Sequence, residues 1–192
     1  MKKQLFILVS FILFNSILFG QNFVQPSEGK ALVYFTRTSV LGSAINFKFF
    51  DDENYIGKID GEQYLAYECV PGVHSFWALS EGMSLVNADL QVGKIYFIDA
   101  KTKMGAFKAD VKLTVLDKNH KDFEKRKTMV LDHVKYYEKK EYTIEELKFE
   151  EEKLSEKIKE GMRYLRIMNS HETDNPIITP DMFIEIPEKY LQ

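Results

Sequence analysis

The chain has 192 residues, of which 26 are Lys or Arg and 29 are Asp or Glu, and its formal net charge is -3 at pH 7. This charge gives no overall attraction to nucleic acid or other polyanions, so we expect no nucleic-acid partner. Apolar residues make up 45% of the chain and aromatic residues 14%, enough for a packed core without metals or disulfides.

Residues 1–21 have the order of a secretory signal peptide. Lys2 and Lys3 precede an uncharged apolar run that ends at Phe19, and small Gly20 comes before polar Gln21. The run is shorter than the ~20 residues that cross a bilayer comfortably, so we predict cleavage near Gly20 or Gln21. The alternative is an uncleaved anchor, which would be the only contact with a membrane. Both alternatives predict export to the periplasm or cell surface of a bacterium.

Residues 28–117 consist of short β-like runs separated by turn residues. Ile45, Phe47 and Phe49 alternate with Asn46 and Lys48, a pattern typical of a half-buried strand. The same kind of pattern predicts strands at 30–37, 44–51, 55–59, 63–70, 74–80, 84–91, 95–102 and 107–117. This spacing predicts a mainly β fold, an antiparallel β-sandwich with open edges and one solvated face.

Residues 118–169 are charged and have helical periodicity, and they predict a two-helix extension. The first helix covers 119–138. The second begins at Thr143, which forms a capping box with Glu146, and runs to about Asn169. Its apolar stripe is interrupted at Glu151 and Gly161 and consists of Ile144, Leu147, Leu154, Ile158, Leu165 and Met168.

The stripe predicts a seam against a neighbouring helix or the sandwich, with a self-associating coiled coil as the alternative. The oligomeric state stays open. Residues 170–192 contain Pro176, Pro180 and Pro187 and predict an extended tail, with residues 182–186 along a sheet edge as one option.

The only cysteine, Cys69, lies five positions before His74, and the only tryptophan, Trp77, follows closely. If Pro71-Gly72 were a tight two-residue loop, Cys69 would face His74 closely enough for an activated thiolate. Because proline followed by glycine favours turns that splay such hairpins, a longer loop or a crossing between sheets fits better. We therefore predict that Cys69 is buried and that a ring nitrogen of His74 holds the turn in place.

Other polar residues give weaker indications of a site. The remaining histidines, His120, His133 and His171, form no close-spaced pair of metal ligands. Ser170, His171 and Asp174 are neighbours in sequence, which does not make them a triad. Solvent-facing residues of the strands are candidates for lining a binding surface, namely Arg37, Asp110 and Lys112. We therefore predict no catalytic residues, no cofactor and no metal site.

Several motifs in order give the region 28–117 a resemblance to a known family. They are YFTR (34–37), LGSAINFKFFDD (41–52), YIGKIDGEQYLAYECVPGVHSF (55–76) and VGKIYFIDAK (92–101). With these motifs the chain resembles the bacterial exported domain family DUF2846. The resemblance implies a prealbumin-like or Ig-like sandwich, no established activity, and a place for His74 in the family's proline-glycine turn. The chain departs from many members because it has no lipobox cysteine and carries the helical extension.

The function expected from these features is a non-catalytic binding or scaffolding module of the envelope, with the helical extension as protein contact surface. The expected partner is another envelope protein, a peptide or a glycan. Two alternatives remain: a thiol-dependent hydrolase that uses Cys69 and His74, and a structural protein that self-assembles through the stripe at 144–168.

Overall fold

The computed structural model describes residues 23–39, 45–104, 109–170 and 175–191. The predicted signal peptide, the Gly42-Ser43 turn and residues 171–174 lie outside this part of the chain. In chain order, the described residues form β1 (Ala31–Thr36), β2 (Phe47–Asp51), β3 (Asn54–Ile59), β4 (Leu65–Cys69), β5 (Gly72–Leu79), β6 (Met83–Leu90), β7 (Ile95–Met104), β8 (Ala109–Val115), α1 (Phe123–Tyr136), α2 (Ile144–Lys153), α3 (Ser155–Ser170) and β9 (Ile177–Ile178), followed by 3₁₀ turns at Pro180–Met182 and Glu188–Tyr190.

The strands form two packed sheets. One has four strands in the order β4-β1-β7-β8, and the other has five in the order β3-β2-β5-β6-β9. Both are mixed, because β1 runs parallel to β7 and β9 runs parallel to β6. The prediction of a sandwich is confirmed at the level of two packed sheets. The predicted antiparallel pairing holds for five of the seven strand pairs and is wrong for β1 with β7 and for β6 with β9. For β1 and β7, the reason is that the chain leaves the four-stranded sheet after β4 and re-enters it at β7, from the same end as β1.

The alternating residues predicted to be buried do fill the space between the sheets. Phe35 of β1 contacts Phe49 of β2 and Phe76 of β5, with ring centroids 5.0 and 5.5 Å apart. All three side chains are fully buried. Burial of aromatic side chains from both inner faces is the main contribution that holds the two layers together.

The outer faces of the sheets are also covered, so the expected solvated face is absent from the described part of the chain. Helix α1 and the tail cover Tyr34 and Phe97 of the four-stranded sheet. Helix α3 covers Phe50 and Trp77 of the five-stranded sheet, mainly with Ile158. The layers are therefore helix, sheet, sheet, helix. The alternation of apolar and polar residues does not predict this arrangement, because the residues of β1 on both faces of the sheet are buried.

The predicted second helix is divided at Leu154, so the extension has three helices and not two. The backbone N–H of Leu154 points to the carbonyls of Glu150, Glu151 and Glu152, and the chain bends there. The bend lets α2 pack beside β3 while α3 lies over Trp77. The predicted capping box is confirmed: the Glu146 N–H donates to Thr143 Oγ1 at 3.2 Å, and the Thr143 N–H donates to Glu146 Oε2 at 2.8 Å.

The tail extends the edge of the five-stranded sheet and covers part of the outer face of the four-stranded sheet. Ile177–Ile178 pairs with β6 as the fifth strand of its sheet. The Ile184 N–H donates to the carbonyl of Ile95 at 2.8 Å, and the side chains of Ile184 and Tyr190 are buried. In the part of the chain that the structure describes, no helix has the length and apolarity needed to span a bilayer.

Candidate functional site

The Pro71-Gly72 corner is a crossing between the two sheets. It joins β4 of the four-stranded sheet to β5 of the five-stranded sheet, which is the crossing between sheets and not the longer loop of the two predicted alternatives. Gly72 has φ of 116°, a conformation that side-chain-bearing residues rarely adopt. Cys69 and His74 extend from the two sheets into the space between them and are only 5% and 7% exposed.

Both ring nitrogens of His74 have acceptors as partners. Nδ1 lies 2.9 Å from each carboxylate oxygen of Asp51, and Nε2 lies 2.8 Å from the carbonyl oxygen of Val70. A carbonyl and an ionised carboxylate only accept hydrogen bonds, so both nitrogens donate and the ring is an imidazolium. The hydrogen bond to Asp51 is the main reason why the pKa of His74 rises to about 10, with further contributions from the Cys69 thiol and the Val70 carbonyl.

Asp51 is the centre of a small buried network. Besides the bonds to His74, it accepts a hydrogen bond from the Tyr67 hydroxyl at 3.0 Å. Burial raises the pKa of Tyr67, which keeps the phenol protonated as a donor. The ring of Phe76 stacks on the imidazolium with centroids 5.3 Å apart. The network therefore contains one paired positive charge and one paired negative charge, and it links β2, β4 and β5.

This arrangement limits what Cys69 can do chemically. A histidine activates a thiol either by taking its proton or by pairing as an imidazolium with the thiolate, and the ring nitrogens of His74 instead contact Asp51 and the Val70 carbonyl. The thiol is also almost fully buried, which restricts the access of any substrate. Cys69 lies beside His74, as the hydrolase hypothesis requires. The protonated ring of His74, however, forms an ion pair with Asp51, which suits a structural role.

The other candidate residues are dispersed. His133 is buried on α1, where Nε2 lies 3.1 Å from the carbonyl of Gln63, and burial lowers its pKa. Arg37 was expected at a solvent-facing position, but it is 1% exposed, with its guanidinium 4.2 Å from the centroid of the Phe47 ring. Asp110 and Lys112 both lie on β8, an edge strand. Among the described residues, no three His, Cys, Asp or Glu side chains are grouped so that they could hold a metal ion.

Sequence reasoning missed two buried carboxylates. Asp51 was assigned to the end of a strand without a partner, because its partner His74 is 23 positions away. Asp99, 4% exposed, accepts from the Thr36 hydroxyl, the Thr38 amide and the Thr38 hydroxyl at 2.9–3.0 Å. The sequence did contain a signal for Asp99, because it follows directly after the apolar run Ile95–Ile98. An acid buried at the end of such a run needs hydrogen-bond donors around it.

An open groove of about 740 Å³ runs along one face of α2 and α3. Ile158 and Met162 form its apolar floor. Its lining includes acidic residues (Glu53, Glu151, Glu152) with Lys148 beside them on α2, and basic residues on α3 (Lys159, Arg163, Arg166). Among the residues that the structure describes, Arg163 and Arg166 form no ion pair, so their charges are available to a partner.

The fold and this corner define a β-rich protein of two mixed sheets with helices on both outer faces. No family model matches the chain, and no solved structure matches it. A search of curated proteins found a protein of Haemophilus influenzae that is described only as uncharacterized, with 29% identity over 89 residues. The aligned segment is 46% of this chain and 53% of the relative, so the match spans about half of each protein. Membership of DUF2846 therefore stays a prediction.

Proposed function

We propose that this protein is an exported, non-catalytic binding module of the bacterial envelope and that its helical extension is the contact surface for another protein. The observation that carries the proposal is the groove along α2 and α3, with its apolar floor and two arginines that have no ion-pair partner among the described residues. Export is supported by the signal-peptide pattern of residues 1–21, and a DUF2846-type origin is supported by the motifs between residues 34 and 101.

The residues of the groove suit contact with a protein. Arginine and methionine are enriched at protein interfaces, and a partly apolar patch with a charged rim is the usual arrangement there. Arg163 and Arg166 are exposed, and Met162, which belongs to the apolar floor, is half-buried. The three basic residues that α3 contributes favour a partner with acidic side chains at that end of the groove, because like charges brought together are strongly unfavourable.

The His74 network supports a non-catalytic role. Both of its ring nitrogens contact other groups and the thiol beside the ring is buried, which gives the hydrolase alternative less support. The self-assembly alternative has less support because the α3 part of the apolar stripe is already used within the chain, although Ile144 on α2 is 67% exposed. Ile158 and Leu165 of that stripe are buried against the five-stranded sheet.

Site-specific photocrosslinking tests the proposal. A photoreactive phenylalanine analogue at Met162 is expected to give one discrete crosslinked species in envelope fractions of the producing bacterium. The double variant Arg163→Glu/Arg166→Glu is expected to lose that species, because it reverses the charges next to the floor. Lys121→Glu/Lys125→Glu is the matched control, since it makes the same charge change at exposed positions near α1.

The proposal is contradicted if Met162 gives no discrete species, or if both double variants give the wild-type pattern. Sedimentation of the purified protein separates the two kinds of protein partner. A crosslinked species with twice the chain's mass, accompanied by a dimer in solution, assigns the groove to a second copy.

A further inference from the structure

The edges of the two sheets lie side by side at β3 and β4. An edge strand has a row of backbone N–H and C=O groups without strand partners, which is a template for pairing with another chain. β3 ends the five-stranded sheet and β4 ends the four-stranded sheet. The connection between α1 and α2, residues 137–143, passes along both edges.

This connection satisfies part of the exposed backbone. The Tyr64 N–H donates to the carbonyl of Glu138 at 3.2 Å, and the Lys140 N–H donates to the carbonyl of Tyr64 at 2.8 Å. At β3, the Tyr142 hydroxyl accepts from the Lys58 N–H at 3.2 Å and donates to the Lys58 carbonyl at 3.0 Å. The connection thus takes the place of a neighbouring strand at Tyr64 and at Lys58.

The rest of β4 is not covered in this way. The backbone of Tyr64 is hydrogen-bonded to the connection, so its N–H and C=O point away from β1. Backbone groups of every second residue in a strand point the same way, so those of Ala66 and Glu68 also point away from β1. Within the described residues, the backbone groups of Ala66 and Glu68 on this side have no hydrogen-bond partner. They border a groove of about 420 Å³ that lies between β4 and residues 139–142.

We propose that this groove binds an extended peptide, which adds to β4 as a further strand by pairing with the backbone of Ala66 and Glu68. Pairing with an edge strand is an established mode of peptide recognition, in which main-chain bonds supply affinity and flanking side chains supply selectivity. Here Ile56 and Leu147 provide apolar contacts at the groove walls. The bridge between Tyr64 and Lys139 shows that β4 already accepts a backbone partner in parallel orientation.

The peptide site is separate from the groove on α2 and α3 that carries the proposed function. The two sites share no lining residue. Variants at Ala66 therefore test the peptide site, whereas variants at Arg163 and Arg166 test the helical groove, and either proposal can fail alone.

Proline at position 66 removes the outward N–H without removing a bond of the β4–β1 ladder, because proline is tolerated in edge strands where its nitrogen faces outward. Ala66→Val is the matched control, since it adds bulk and keeps the N–H. A displayed library of random short peptides is selected on the wild-type protein, and the enriched peptides are synthesised. We expect Ala66→Pro to weaken their binding at least about tenfold and Ala66→Val to change it less than about threefold.

Amide hydrogen exchange by NMR keeps the test independent of any folding defect of the proline variant. In the free wild-type protein, the amides of Ala66 and Glu68 are expected to exchange much faster than those of Leu65 and Tyr67. A selected peptide is expected to slow the amides of Ala66 and Glu68 at least about tenfold. The proposal is overturned if no peptide is enriched, if enriched peptides bind a folded Ala66→Pro variant as well as wild type, or if these amides stay unprotected.

Discussion

His74 is a buried cation whose charge is matched by Asp51. Both side chains are less than a tenth exposed, and the pair also receives a hydrogen bond from Tyr67. Removal of one member of such a pair leaves an uncompensated charge in the core, which typically costs about 3–5 kcal/mol of the free energy of unfolding. The pair therefore fixes the crossing from β4 to β5 in one geometry.

We expect His74 to stay doubly protonated through neutral pH and to lose its proton only near its folded pKa of about 10. In the unfolded chain the same ring deprotonates near 6.5. Between these values only the folded state holds the proton, so the free energy of unfolding falls by up to about 1.4 kcal/mol per pH unit as pH rises. NMR titration of the imidazole resonances measures the pKa directly. His133 is the control, because burial lowers its pKa below the ordinary value; a His74 titration near 6.5 contradicts the account.

Gly161 lies directly over the indole of Trp77. A β-carbon at this position would overlap the six-membered ring of Trp77, which is itself stacked on Phe50 with centroids 3.9 Å apart. Alanine normally stabilises a helix by about 1 kcal/mol relative to glycine, whereas overpacking in a core costs about 1–3 kcal/mol.

For Gly161→Ala we therefore expect a loss of about 1–2 kcal/mol in the free energy of unfolding, measured by urea denaturation. Ile167→Ala on the same helix serves as control: Ile167 is 58% exposed, so a change of less than about 0.5 kcal/mol is expected. Stabilisation by Gly161→Ala would show that α3 is seated differently.

At the scale of elements, the strands and the start of α2 were predictable, whereas the pairing between strands was not. The turn residues and alternation located all eight strands before α1, and Thr143 with Glu146 located the start of α2. Alternation is the same in parallel and antiparallel strands, so it could not show that β1 runs parallel to β7. The bend at Leu154 has no proline or glycine to indicate it, because it arises from the packing of α2 and α3 on different parts of the sheet.

The connection between α1 and α2 protects the edge of β3 through a single hydroxyl group. We expect Tyr142→Phe to lower the free energy of unfolding by about 1–2 kcal/mol, because the N–H and C=O of Lys58 both lose a partner. Tyr136→Phe is the matched control at a side chain that is 71% exposed, and it should be nearly neutral. Urea denaturation measures both variants, and equal stability of Tyr142→Phe and wild type would exclude this role of the hydroxyl.

At the scale of the whole molecule, the helical extension is part of the layered fold. Residues 118–169 were predicted as an appendage because their composition changes sharply from that of the strands. Composition does not reveal that the outward faces of the sheets carry Tyr34 and Trp77, which α1 and α3 bury. The sequence correctly predicted a crossing between sheets as one of two alternatives at Pro71-Gly72. It did not predict the ion pair of His74 with Asp51, because Asp51 lies on a different strand and only the fold brings the two together.

We propose that the corner from Cys69 to His74 is a sealed structural element and not a thiol active site. Cys69 is 5% exposed between the two sheets, so a reagent reaches it only when the sandwich opens. Val73, in the same corner, is 82% exposed, and Cys69→Ala/Val73→Cys therefore provides an accessible thiol as control.

The most direct measurement is the rate at which iodoacetamide alkylates the native protein as urea is increased. We predict that Cys69 reacts orders of magnitude more slowly than the thiol of the control variant and that its rate rises in step with the unfolded fraction. Alkylation of Cys69 in the folded protein as fast as that of the control, without urea, would contradict the account.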